Sequence, residues 1–176
     1  TTEVDNQNSN NQNGKIKDFK FTLLPIFSDL IPENKEMKKY IEDVRLPYLK
    51  ELTRPIATTE ETLFRRGNFN GSWDQIICDA LIDVKGAQIS LSPGFRWGTS
   101  VMPNQTITFD DLMTQTAMTY PETYARDIKG SEIKLILEDV ADNLFNEDPF
   151  LQQGGDMVRT GGISYKIDPK AKIGER

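Results

Sequence analysis

The segment from Gly71 to Gly98, GSWDQIICDALIDVKGAQISLSPGFRWG, carries three patterns in succession. Ile76, Ile77, Ala80 and Leu81 recur at helical spacing, which predicts an amphipathic helix near 72–84. Ser72 opens it as a cap, with Gln75 at the position of an approximate capping box. AQISLS then reads as a short buried strand near 87–92. The strand runs into a proline and a glycine, and then into a single arginine, Arg96, between two large rings, Phe95 and Trp97.

The same alternation of helix and strand extends in both directions. Upstream, KIKDFKFTLLPIF alternates through Phe19, Phe21 and Leu23, predicting a half-buried strand near 15–24 that Pro25 closes. Met37, Tyr40, Ile41 and Val44 define one face of a helix near 35–50, starting after Pro32 and kinked or ended by Pro47. Downstream, TFDDLMTQT opens a short helix with Thr108 as cap and Asp111 at the box position. TYPETY reads as extended and broken at Pro121. SEIKLILEDVADNLFNED is the clearest helix, near 131–145, with Ile133, Ile136, Leu137, Val140, Ala141 and Leu144 on one face. FLQQGGDMVRTGGISYKIDP brackets Asp156 and Arg159 between glycine pairs, then predicts a strand near 162–168 through Ile163, Tyr165 and Ile167. The fold class expected is α+β, a mixed β-sheet with packed helices. Residues 1–14, TTEVDNQNSNNQNG, have no periodicity and read as a disordered lead-in or a surface loop between strands, leaving 15–176 as the domain.

Composition limits the chemistry. Lys and Arg total 21 against 27 Asp and Glu, a net charge of -6, which argues against a nucleic-acid surface. No run of about 18 apolar residues is present, so no membrane span and no export signal is expected in this stretch. The single cysteine, Cys78, excludes an internal disulfide and lies on an apolar helical pattern, where packing is its expected role. Histidine is absent, which removes the commonest zinc ligand, the usual general base and the Ser-His and Cys-His nucleophile pairs. Glu138, Asp139 and Asp142 flank the apolar stripe of the long helix and read as its solvated edge rather than as a metal site.

LFRRGNFNGSWDQIICDAL, ISLSPGFRWG, TYPETY, LEDVADNLFN and QQGGDMVRTGG together resemble the C-terminal part of the SoxB thiosulfohydrolases, a family within the wider 5'-nucleotidase group. The resemblance implies a 5'-nucleotidase C-terminal-like domain. It also implies a longer hydrolase, of which this chain is expected to be a fragment lacking the N-terminal metallophosphoesterase domain. That missing domain would hold two metal ions, manganese, and no cofactor or catalytic residue is expected in the chain itself. The implied partner is a sulfur-carrier protein of the SoxYZ type, bearing its substrate as a cysteine S-thiosulfonate from which metal-activated water releases sulfate. A periplasmic location follows from the same resemblance; no nucleic-acid or membrane partner is expected from the charge and the lack of a long apolar run. The alternatives are the substrate domain of a nucleotidase or related phosphoesterase, and a non-catalytic module that binds the carrier.

Carried over residue by residue, the resemblance places Arg96 where the nucleotidases have an arginine that points at substrate, flanked by Trp97. Ser92 and Pro93 depart from the nucleotidase pattern just before it. Arg65 matches an upstream substrate-binding arginine, with Arg66 one residue of alignment slip away, and another family arginine is lost at Glu61. A base-stacking aromatic falls at Thr119 or Tyr120. Asn68, Asn70, Asp156 and Arg159 complete the candidate substrate-binding set. For each of these four a purely local role in ordering a turn is the competing reading.

Overall fold

The computed structural model describes residues 2–4, 16–27, 29–95, 98–117 and 122–176. Its contacts divide the chain into two compact units, Thr1–Pro47 and Tyr48–Arg176.

In the first unit, strand β1 (Thr2–Val4) pairs antiparallel with β2 (Ile16–Phe19), Glu3 opposite Asp18. Residues 2–4 of the expected lead-in therefore sit in a ladder, and 5–15 lie outside the described residues. The expected strand near 15–24 stops at Phe19, and Phe21 and Leu23 are exposed rather than half-buried. Helix α1 (Lys35–Arg45) is capped by Asn34, whose side chain accepts from the Met37 N–H at 2.9 Å. It ends two residues before Pro47, which has no N–H to continue the ladder and sits in a 3-10 turn.

The second unit adds helix α2 (Leu49–Leu52), strand β3 (Pro55–Thr58), helix α3 (Ser72–Lys85), strands β4 (Ser90–Ser92) and β5 (Thr106–Thr108), helices α4 (Phe109–Thr116) and α5 (Gly130–Leu144), and strand β6 (Arg159–Gly161). The α+β class is the one expected. Its strands form two-stranded antiparallel ladders, β3 with β5 and β4 with β6, rather than one broad sheet. One apolar cluster joins Leu63, Trp73, Val101 and Ile107; the other joins Ile133, Leu137 and Ala141 of α5 to Met157.

The α4 cap forms as the sequence predicts: Thr108 Oγ1 accepts from the Asp111 N–H and the Asp111 carboxylate accepts from the Thr108 N–H. Helix α3 starts differently. Its N-cap is Gly71, the box residue is Asp74, and Ser72 instead donates to the Thr62 carbonyl and accepts from the Phe64 N–H. The buried stripe accordingly runs through Trp73, Asp74 and Cys78, while Ile76 and Ala80 are exposed. The strand expected near 162–168 is also displaced. The ladder is β6, and the chain turns out of it at Gly162, φ 73°, where a Cβ would stand 2.1 Å from the Gln88 carbonyl oxygen. Ile163, Tyr165 and Ile167 still alternate inward, but onto α5 rather than as rungs of a ladder.

Burial raises the Cys78 thiol above the ordinary cysteine value, against a hydrogen bond from Ser90, and raises the Tyr165 hydroxyl above the ordinary tyrosine value, against the Arg159 charge. Both groups hold their protons to higher pH folded than unfolded. The unfolded chain releases protons first, so stability is fully present below about pH 9 and falls as pH rises beyond it. Urea midpoints measured from pH 7 to 10.5 are expected to drop above pH 9, and Cys78→Ala to flatten the first part of that fall. A midpoint independent of pH in this window contradicts it.

Candidate functional site

The Pro93 to Ser100 loop leaves β4 at Ser92 and re-enters paired structure at Val101. Each stem has a register partner. Ser92 lies opposite Arg159 on β6, and Val101 bridges Leu63, two residues before Arg65. The partner segments thus bring one arginine to each side of the loop's base.

Both guanidiniums turn inward onto one carboxylate, Asp74 in the first turn of α3. Arg65 Nε donates to Asp74 Oδ1 at 2.8 Å, and Arg159 Nε lies 3.1 Å from Oδ2. The Gly71 N–H also donates to Oδ2, at 2.9 Å. Arg65, Asp74 and Arg159 are 2%, 0% and 0% exposed, so the cluster is sealed from water. Asp156 stands 3.7 Å from Arg159 Nη2, which balances two buried positive charges with two negative ones.

Arg65 Nη1 and Nη2 and Arg159 Nη2 reach backbone, while Arg159 Nη1 is buried without a hydrogen-bond partner among the described residues. Arg65 donates to the carbonyls of Gln115 and Pro93, and its guanidinium lies over the Phe95 ring, 5.4 Å from the centroid. Gln115, 1% exposed at the end of α4, donates to the Thr99 carbonyl at 2.7 Å. Arg159 Nη2 donates to the Gly67 and Arg65 carbonyls at 2.7 and 3.3 Å. Gly94 lets the loop press onto the neighbouring segment: a Cβ there would stand 2.7 Å from both Asp156 Cβ and the Met157 carbonyl oxygen.

Of the residues the sequence singles out, Arg65, Asp156 and Arg159 are thus brought together through Asp74. Asn70 exchanges two hydrogen bonds with the Thr160 backbone, accepting from its N–H at 3.1 Å and donating to its carbonyl at 2.8 Å, so its amide imitates one rung of a ladder. Asn68 is exposed and its carbonyl accepts from the Met157 N–H at 2.9 Å. Neither asparagine takes a positive φ. Arg66 is exposed beside them. Arg96, Trp97 and Tyr120 lie outside the described residues. Two residues of the cluster escaped the sequence reading. Asp74 had a signal, an acid three residues after a glycine cap; Gln115 had none.

The metals implied by the family resemblance have no place among these residues: the chain contains no histidine, and no three Cys, Asp or Glu side chains converge among the described residues. Asp142, one of the acids on α5, instead accepts from the Gly174 N–H at 2.7 Å and pairs with Arg176 at 3.3 Å.

The fold and the cluster can be set beside known proteins. The family model described as 5'-nucleotidase, C-terminal domain, matches residues 55–176, and the chain belongs to that family. Among solved structures it is similar to Thermus thermophilus sulfate thiohydrolase SoxB in complex with glycerol, with a TM-score of 0.82 and 36% identity. That likeness covers 92% of this chain and 30% of the SoxB chain, so this chain is a SoxB-like C-terminal domain spanning under a third of its relative. No curated protein sequence matches it.

Proposed function

We propose that this chain is the substrate-recognition part of a SoxB-type thiosulfohydrolase, releasing sulfate from a cysteine S-thiosulfonate on a carrier protein. The observation that carries the reading is the 36% identity to a sulfate thiohydrolase SoxB over 92% of the chain. In this reading Arg96 offers the sulfonate a planar fork of donors between Phe95 and Trp97, and Tyr120 lines the approach of the carrier arm. Arg65 and Arg159 are turned onto Asp74, Arg65 also holding the Pro93 carbonyl at the foot of that loop, while Arg66 and Asn68 are exposed. Two metal ions, manganese, held elsewhere in the longer enzyme would supply an activated water and polarise the sulfonate. The carrier is of the SoxYZ type and the setting is periplasmic.

The family description favours one second reading, the substrate domain of a 5'-nucleotidase. Calorimetric titration of the chain with a peptide bearing a cysteine S-thiosulfonate, and separately with AMP, distinguishes them. The peptide is expected to bind at least tenfold more tightly, and tighter binding of AMP overturns the thiosulfohydrolase reading. The isolated chain, supplied with manganese, is expected to turn over neither a thiosulfonate nor a phosphate ester. Metal-dependent turnover by the purified chain contradicts that expectation.

A further inference from the structure

We propose that Asp74 is the positioning residue of the Pro93 to Ser100 loop, acting through Arg65 and Gln115 on the loop's two flanks. The geometry rests on the chain's own contacts; only its consequence for sulfonate recognition rests on the proposed function.

Asp74 accepts from two donors, Arg65 Nε on Oδ1 and the Gly71 N–H on Oδ2, and Arg159 Nε stands 3.1 Å away as an ion-pair partner, which fixes the plane of its carboxylate. A carboxylate held on both oxygens fixes in turn the arginine it grips. Arg65 then has one orientation in which its other nitrogens meet the Pro93 and Gln115 carbonyls, with its plane over Phe95. That fastens the outgoing flank of the loop. The returning flank is fastened by Gln115, whose own carbonyl Arg65 holds and whose side chain holds Thr99. Through Arg65 and Gln115 one acid therefore reaches both flanks, Pro93 to Phe95 and Gly98 to Thr99.

Burying two arginines and two acids is a poor way to stabilise a domain, since desolvation offsets most of the attraction and apolar replacements are often as stable. Its specific effect is directional, because Arg65 Nη1 and Nη2 each hold one carbonyl, of Gln115 and of Pro93, once Nε is fixed on Asp74. The contacts here end on backbone carbonyls, of Pro93 in the loop, of Gln115 at the end of α4 and of Gly67, rather than on the apolar clusters.

Hydrogen exchange on the chain tests this with Asp74→Asn and Gln115→Ala. Asp74→Asn keeps the shape and removes the charge, and is expected to speed exchange across residues 94–100 by about tenfold or more. The α5 amides from Ile133 to Ala141 should follow only the loss of global stability that urea unfolding of the same variant reports, with the loop accelerated beyond that factor. Equal acceleration in the loop and in α5 marks a merely structural ion cluster and overturns the proposal. Gln115→Ala leaves every charge paired, so it remains informative if Asp74→Asn fails to fold; it should loosen 98–100 and leave α5 unchanged. An unaltered loop in that variant also overturns the proposal. The same variants are then titrated with the cysteine S-thiosulfonate peptide. A loosened loop with weakened binding supports the positioning role, and a loosened loop with unchanged binding removes its link to recognition. A wild-type chain that binds no peptide sinks the functional reading while the exchange result stands by itself.

Discussion

Asp74→Ala is expected to destabilise the domain by about 3–5 kcal/mol, the cost of leaving a buried charge without its partner. The wild-type carboxylate neutralises two guanidiniums that are almost wholly sealed from water, and Asp156, 3.7 Å from Arg159, is the remaining acid beside them. Removing Asp74 also takes away the acceptor of the Gly71 N–H at the start of α3. Urea unfolding followed by circular dichroism measures the loss. The triple variant Arg65→Met, Asp74→Leu, Arg159→Leu removes the charges together and should recover most of the stability, because apolar side chains of similar volume need no partners. A single variant as stable as wild type would show that the cluster is neither dry nor tight.

Arg96→Ala, made in the longer enzyme, is expected to lower turnover on the order of 10²–10³, the scale of one lost electrostatic donor at a developing charge. Arg96→Lys keeps the charge but not the bidentate fork, so its loss should fall between wild type and alanine. Single-turnover sulfate release and melting temperature, measured on the same preparations, separate ligand contact from a structural role. Graded activity at constant melting temperature supports the proposed function. Activity that merely follows the folded fraction, or a folded alanine variant with full turnover, refutes the assignment of Arg96.

The two expected results depend on different parts of the chain, and they were not equally legible in the sequence. Arg96 was singled out by its neighbours and by family resemblance. Asp74 was passed over because GSWDQ reads equally well with Ser72 as the cap, and an acid in the first turn of a helix is ordinarily solvated. Only the arrival of Arg65 and Arg159 makes it a buried centre.

What the sequence by itself determined is what depends on near neighbours. The face of α5 and the Thr108 box of α4 follow from residues three and four apart, whose spacing is fixed as soon as a helix forms. The period of two through Ile163, Tyr165 and Ile167 predicts a strand; the three side chains do face inward, but no ladder forms there. Sequence could not say what lay on that inward side, since a ladder rung and an extended segment lying on a helix share one period. Tertiary structure decided that, and it decided the site: Arg65 meets Gln115, Arg159 meets Gly67 and Asn70 meets Thr160 across 50, 92 and 90 residues. Hydrogen bonds between groups so far apart carry no local periodicity. They exist only once β4 has paired with β6 and α3 has packed on both, closing the water out of the space around Asp74.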